Sequence, residues 1–102
     1  MYAIGEVTTK PVINNRGTVA RSLQANFSTA LSANPAGGTV DLSVVVDVHG
    51  VPRQVTVVRS ANAGFNAPAM NVVRAMRFTP ATVNGAPVAV RLELPIRFTP
   101  GG

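Results

Sequence analysis

Residues 38–60 alternate between apolar and polar side chains almost without a fault, and that pattern commits the chain to a sheet. Val40, Leu42, Val44, Val46 and Val48 fall on one side; Asp41, Ser43, Val45 and Asp47 fall on the other. Successive strand side chains point to opposite faces, so this arm has one buried face and one wet face. Asp47-Val48-His49-Gly50 is the expected turn. An Asp side chain bonds the backbone two residues on, and Gly takes positive φ without steric cost. The return arm, 53–60, sets Val55 and Val57 on one face and Gln54, Thr56 and Val58 on the other. A lone hairpin is marginal in water, so other elements must cover its apolar face.

Two helical stretches supply that cover. In 15–34, Val19, Leu23, Phe27 and Leu31 recur at every fourth residue, with Ala20 and Ala30 beside them. That is one apolar stripe, with Asn15 or Thr18 as its cap and Arg21, Gln24 and Ser28 turned away. Asn34-Pro35-Ala36-Gly37-Gly38 ends the helix and leads into the hairpin. The second helix is expected to open at Asn66, with Pro68 in its first turn and Phe65 and Met70 as a hydrophobic staple. Ala69, Val72, Val73 and Met76 form its buried stripe, while Asn71, Arg74 and Arg77 face water. Phe78-Thr79-Pro80 stops it, and Asn84-Gly85 turns the chain into a last strand, 86–99. There Val88, Val90, Leu92, Leu94, Ile96 and Phe98 share one face, and Ala89, Arg91, Glu93, Pro95 and Arg97 the other. Pro95 cannot donate to a ladder, which puts this strand at a sheet edge.

The order is α-β-β-α-β. It predicts a two-layer α+β domain over 15–99, a three-stranded antiparallel sheet with two helices on one face. The hairpin's first arm lies in the middle, and the helical crossover skips over it. Residues 1–14 are expected to be extended, since Thr8-Thr9-Lys10-Pro11 resists helix, and to lie over the domain edge or end a linker. Residues 100–102 form a tail.

Composition narrows the function classes. A chain of 102 residues makes one domain with one modest core, and 46% apolar content excludes disorder. No apolar run is long enough to cross a bilayer and no signal peptide opens the chain. An opening Met that runs directly into fold-like sequence is consistent with an excised domain. The absence of Cys excludes disulfides and thiolate metal sites. Net charge is +5, almost all from arginines scattered at 16, 21, 53, 59, 74, 77, 91 and 97, which fits a weakly basic surface.

Catalysis needs ionisable groups brought together, and the chain has one His and four acids. His49 sits at a hairpin tip with only Asp47 near it, the setting of a solvated turn residue. Asp41 and Asp47, six residues apart along a strand, are on the order of 20 Å from each other, too far for a carboxylate pair. No catalytic, cofactor or metal residue is expected, and the chain reads as a non-enzyme. Sheet-face readers of nucleic acid interleave aromatics with basic residues; here the Phe side chains fall on buried stripes or helix ends. Nucleic acid is therefore not expected, although a basic nucleic-acid module stays as an alternative. An open edge strand can accept an extended peptide. Pro95, Arg91 and Arg97 can equally serve to block such pairing.

Gly38-Thr39-Val40, Val44-Val45-Val46-Asp47, Gly50, Val57-Val58-Arg59-Ser60, Arg77-Phe78, Pro80-Ala81, Asn84-Gly85, Pro87-Val88 and Leu94-Pro95-Ile96-Arg97-Phe98 together resemble the TonB C-terminal domain family, from about residue 15 to 98. The resemblance implies the periplasmic end of an energy transducer whose full-length form is anchored in the inner membrane of Gram-negative bacteria. It implies work with the ExbB–ExbD proton channel through an N-terminal part that is not in this sequence. It also implies that the TonB box of an outer-membrane transporter pairs with the last strand. Carried over to this chain, that strand offers Val88, Ala89, Val90, Arg91, Leu92, Glu93, Leu94 and Ile96, with Phe27, Ser28 and Arg97 as a secondary contact. Phe27-Ser28 stands where the family usually has Tyr-Pro, and Met76 where it often has Trp. An alternative for the same edge is self-association into a homodimer, as a structural or assembly domain.

Overall fold

The computed structural model describes residues 1–33 and 36–98. The expected ends at 34–35 and 99–102 lie outside the described residues. The long elements follow the predicted order: α1 (Arg16–Ala33), β3 (Gly38–Val46), β4 (Pro52–Ser60), α2 (Asn66–Ala75) and β8 (Val90–Phe98). Short strands precede and punctuate them: β1 (Tyr2–Ala3), β2 (Val12–Ile13), β5 (Phe78–Thr79), β6 (Ala81–Val83) and β7 (Ala86–Val88).

The main sheet has the order β1-β8-β3-β4. β3 is central and antiparallel to both long neighbours, as the hairpin pattern requires. Val40, Leu42, Val44 and Val46 are wholly buried, and the helices cover them with Val19, Ala30, Ala69, Val72, Val73 and Met76. Burying an aliphatic side chain of this size stabilises by about 1.5–3 kcal/mol, which is why the Val face sets the layer order. Val48, expected on that face, lies beyond the strand in the turn and is exposed. Ala20, expected beside the α1 stripe, is exposed too, because the stripe follows Val19, Leu23, Phe27 and Ala30.

The expected three-stranded sheet gains a fourth, two-residue strand: β1 runs parallel to β8, with Tyr2 opposite Val90 and Ala3 opposite Arg91. The expected single strand over 86–99 is two. Ala86–Val88 turns back at Asn84-Gly85 to pair with Ala81–Val83, and the chain joins the main sheet only from Val90. β2 and β5 form a second small sheet.

Two caps differ from expectation. Asn15 precedes α1, but its side chain leaves that helix. Its Nδ2 donates to the Ala75 carbonyl and its Oδ1 accepts the Arg77 N–H, so it caps the far end of α2. α2 opens without a side-chain cap because a single 3-10 turn, Ala63–Phe65, precedes it. The cap is Asn62, whose Oδ1 accepts the Gly64 N–H at 2.8 Å; Asn66 is already helical. The predicted hairpin turn forms as read. Asp47 Oδ1 accepts the N–H groups of His49 and Val51, and the Gly50 N–H donates to the Asp47 carbonyl.

Candidate partner-binding edge

The main sheet has two long outer strands, and they differ in regularity. β4 breaks register with β3 twice, once around Val58 and once around Gln54, which sits at φ +50°. β4 also opens on Pro52 and carries Arg53 and Arg59. Bulges, proline and charge all discourage another strand from adding there. β8 pairs with β3 from Phe98 opposite Gly38 to Val90 opposite Val46 with no register shift. It is the straight, ladder-ready edge.

The outward backbone groups of β8 follow from parity, because along a strand they alternate sides. The Thr39 carbonyl accepts the Ala61 N–H on the β4 side, so odd residues of β3 bond toward β4 and even ones toward β8. Their even partners Val90, Leu92, Leu94 and Ile96 bond back to β3. The odd residues Arg91, Glu93, Pro95 and Arg97 therefore turn their backbone groups to the outer edge. Two observations agree. The Ala89 carbonyl points outward and accepts the Tyr2 N–H at 3.1 Å, and Pro95, which has no N–H, lies where the inner ladder loses nothing.

The predicted site residues divide along this line. Val88 lies in β7 opposite Ala81, apart from the edge. Ala89, Val90 and Arg91 lie on the edge but are covered on its outer side by Tyr2 and Ala3. Beyond them the edge has no strand partner among the described residues. Leu92 and Leu94 are half-buried on the helix side of this stretch, and Ile96 is buried. Arg91, Glu93 and Arg97 are exposed on the opposite face, and neither arginine forms an ion pair among the described residues. Phe27 is placed with the core: its ring lies 4.6 Å from that of Phe98, which stacks on Phe65 at 4.6 Å. Ser28 is exposed on α1 and donates to the Gln24 carbonyl.

The polar face of the sheet carries a groove beside this edge, lined by Ala3, Ile4, Ser43, Val58, Arg91, Leu92 and Glu93. The acids elsewhere are engaged structurally. Asp41 pairs with Arg59 at 3.0 Å, and Asp47 with Arg53 at 3.1 Å. The Asp47 carboxyl is held below its ordinary value, chiefly by the Val51 N–H, with Arg53 and the His49 N–H adding to it. His49 is exposed at the turn. Among the described residues no three His, Cys, Asp or Glu side chains converge as metal ligands would, and no helix is long and apolar enough to cross a membrane.

Sequence reasoning missed the β1 strand. Its signal, Tyr2-Ala3-Ile4, is too short to stand out from an irregular terminus.

The arrangement defines a small two-layer α+β domain with one regular sheet edge. The pattern of the Gram-negative bacterial TonB protein C-terminal family matches residues 23–100, and the chain belongs to that family. It is thereby a TonB-type periplasmic domain of a transport-related, non-enzymatic family. The NMR solution structure of the Helicobacter pylori TonB C-terminal domain shares the fold, with a TM-score of 0.50 at 17% identity over 82% of each chain. No curated protein sequence matches.

Proposed function

We propose that this domain is the periplasmic end of a TonB-type energy transducer that binds the TonB box of an outer-membrane transporter as an added strand on β8. The observation that carries this reading is the unbroken β3–β8 register beside the twice-bulged β4. Main-chain bonds to Glu93, Pro95 and Arg97 would supply attachment, at about 0.5–1.5 kcal/mol net each. Leu92 and Leu94 would supply an apolar strip against which partner side chains pack. Arg91 and Arg97 favour a partner segment that carries acidic residues. The same edge suits force transmission: a strand pulled along its length loads its bonds together, so modest equilibrium affinity is compatible with a useful pull. The pull would come from the proton gradient through ExbB–ExbD, with the full-length protein anchored in the inner membrane.

The test is an amide-resolved NMR titration with synthetic TonB-box peptides. Saturable shifts centred on residues 92–97 are expected. No saturable shift at millimolar peptide would sink the reading. Shifts at those residues that grow with protein concentration alone would replace it with self-association.

A further inference from the structure

The β8 edge is not empty in the free domain. Tyr2 and Ala3 lie on it in the position of an added strand, in parallel register with Val90 and Arg91. The Tyr2 N–H donates to the Ala89 carbonyl, and a parallel ladder of this register turns both backbone groups of Arg91 to the same segment. That engages Arg91, one of the four residues of β8 whose backbone groups face outward. What remains is Glu93, Pro95 and Arg97, and Pro95 offers only a carbonyl. A partner confined to that remainder gains few bonds. A partner of ordinary strand length needs the Arg91 end as well.

The occupant is built to stay in place yet to leave singly. Ile4 is half-buried against the core margin and walls the groove with Val58, Ser43, Arg91 and Glu93. Glu6 Oε1 accepts the Ala3 N–H at 2.7 Å and closes a tight turn that redirects the chain off the edge. Past the turn, Thr8 and Thr9 both donate to the Thr82 carbonyl, and the Thr82 N–H donates to Thr9. These bonds tether the segment close to the edge whether or not it is paired, which gives it a high local concentration. By contrast Met1 and Tyr2 are exposed, and no side chain of β1 is buried. Such short, solvated pairings open locally at little cost.

We propose that Tyr2 and Ala3, with Ile4 seated beside them, are a resident strand that keeps the Arg91 end of the edge closed, and that a partner segment enters by displacing it. This rests on the strand-addition reading above. The displacing partner is an extended segment with one apolar side chain to replace Ile4 in the groove. The resident strand lowers the apparent affinity by the fraction of molecules in which it is docked.

Hydrogen exchange on the unliganded full chain and peptide titration together test this. In the free protein the Tyr2 and Arg91 amides should be protected, and Tyr2→Pro, which removes the donor to Ala89, should expose Arg91 while leaving Leu94 protected. A synthetic TonB-box peptide should bind Tyr2→Pro, and separately Ile4→Ser, about fivefold more tightly than the parent, the factor one main-chain hydrogen bond is worth. Binding to the parent should make the Tyr2 amide exchange faster. Unprotected Tyr2 and Arg91 amides in the free protein, or equal affinity with Tyr2 still protected when peptide is bound, would overturn the displacement while leaving strand addition in place. Absence of binding to the parent and to both variants would instead overturn the strand-addition reading, and the displacement with it.

Discussion

Asn15 and Arg77, far apart in sequence, meet where the start of α1 crosses the end of α2: Asn15 Oδ1 accepts the Arg77 N–H at 2.8 Å. Its Nδ2 donates to the Ala75 carbonyl at 2.8 Å, and the Asn14 N–H donates to the Arg77 carbonyl at 2.8 Å. One side chain thus satisfies orphan groups at a helix terminus it does not belong to. Asn15→Ala removes both side-chain bonds and should cost about 2 kcal/mol, at about 1 kcal/mol per bond. Asn15→Asp keeps the acceptor, loses the donor and adds an anion at the start of α1, so it should cost less. Urea unfolding of the two variants checks the order; equal losses would show that the bond to the Arg77 N–H contributes nothing.

Gly50 should be the least replaceable residue of the hairpin. It lies at φ +78°, and a Cβ there would fall 1.8 Å from the Phe78 carbonyl oxygen. The Gly50 carbonyl meanwhile accepts the Phe78 N–H at 2.9 Å, so the turn cannot simply lift away without losing that bond. Gly85 has a similar φ of +84° but nothing within 4 Å of the added carbon. Gly85→Ala should therefore cost only the backbone strain, about 1–2 kcal/mol, whereas Gly50→Ala should exceed about 3 kcal/mol. Thermal unfolding of the pair separates steric clash from strain, and similar shifts would contradict the close approach.

How much of this was legible depends on range. The alternation at Val40, Leu42, Val44 and Val46 and the stripe Ala69, Val72, Val73 and Met76 are local periodicities, and burial follows them residue for residue. Asp47 and Gly50 make the turn expected of them because the bonds involved span at most four residues. Partner changes are a different matter. The alternation runs smoothly through Val88 and Val90, yet Val88 pairs with Ala81 and Val90 with Val46. Nothing in a period of two records which strand lies alongside. The same blindness hid Tyr2 on β8 and the attachment of Asn15 to α2. Of the candidate edge, the strand and its proline were readable, but its partial occupation was not.

Asp47 makes the hairpin tip sensitive to acid. Its carboxyl is held below 3.8, chiefly by the Val51 N–H, so its pKa is lower folded than unfolded. The stabilisation it gives is therefore complete above the unfolded value and is lost as pH falls through the lower folded value. The Val51 and His49 amide shifts should titrate with a midpoint below 3.8, and their exchange should quicken at the acid end. Asp47→Asn should abolish that titration. A midpoint at or above the ordinary carboxylate value would mean that these bonds do not favour the ionised form.

The parity of β8 sets up the sharpest separation of binding from folding. Glu93 turns its N–H outward, so Glu93→Pro deletes a bond available to a partner and none made to β3. The strand already carries Pro95 in the same phase, opposite Asp41, without a break in register. The cost to stability should be about 1 kcal/mol, from fixing φ near −65° in a strand that prefers wider values. Leu94 is in the opposite phase and bonds to Leu42, so Leu94→Pro removes an inner ladder bond, disturbs a wholly buried partner, and should cost about 3 kcal/mol or more. Chemical denaturation ranks the two variants, and peptide titration of Glu93→Pro reads out the edge. A folded Glu93→Pro that still binds a TonB-box peptide as tightly as the parent would place strand addition elsewhere than on this edge. A Glu93→Pro chain that unfolds as readily as Leu94→Pro would reverse the assigned phase of the ladder.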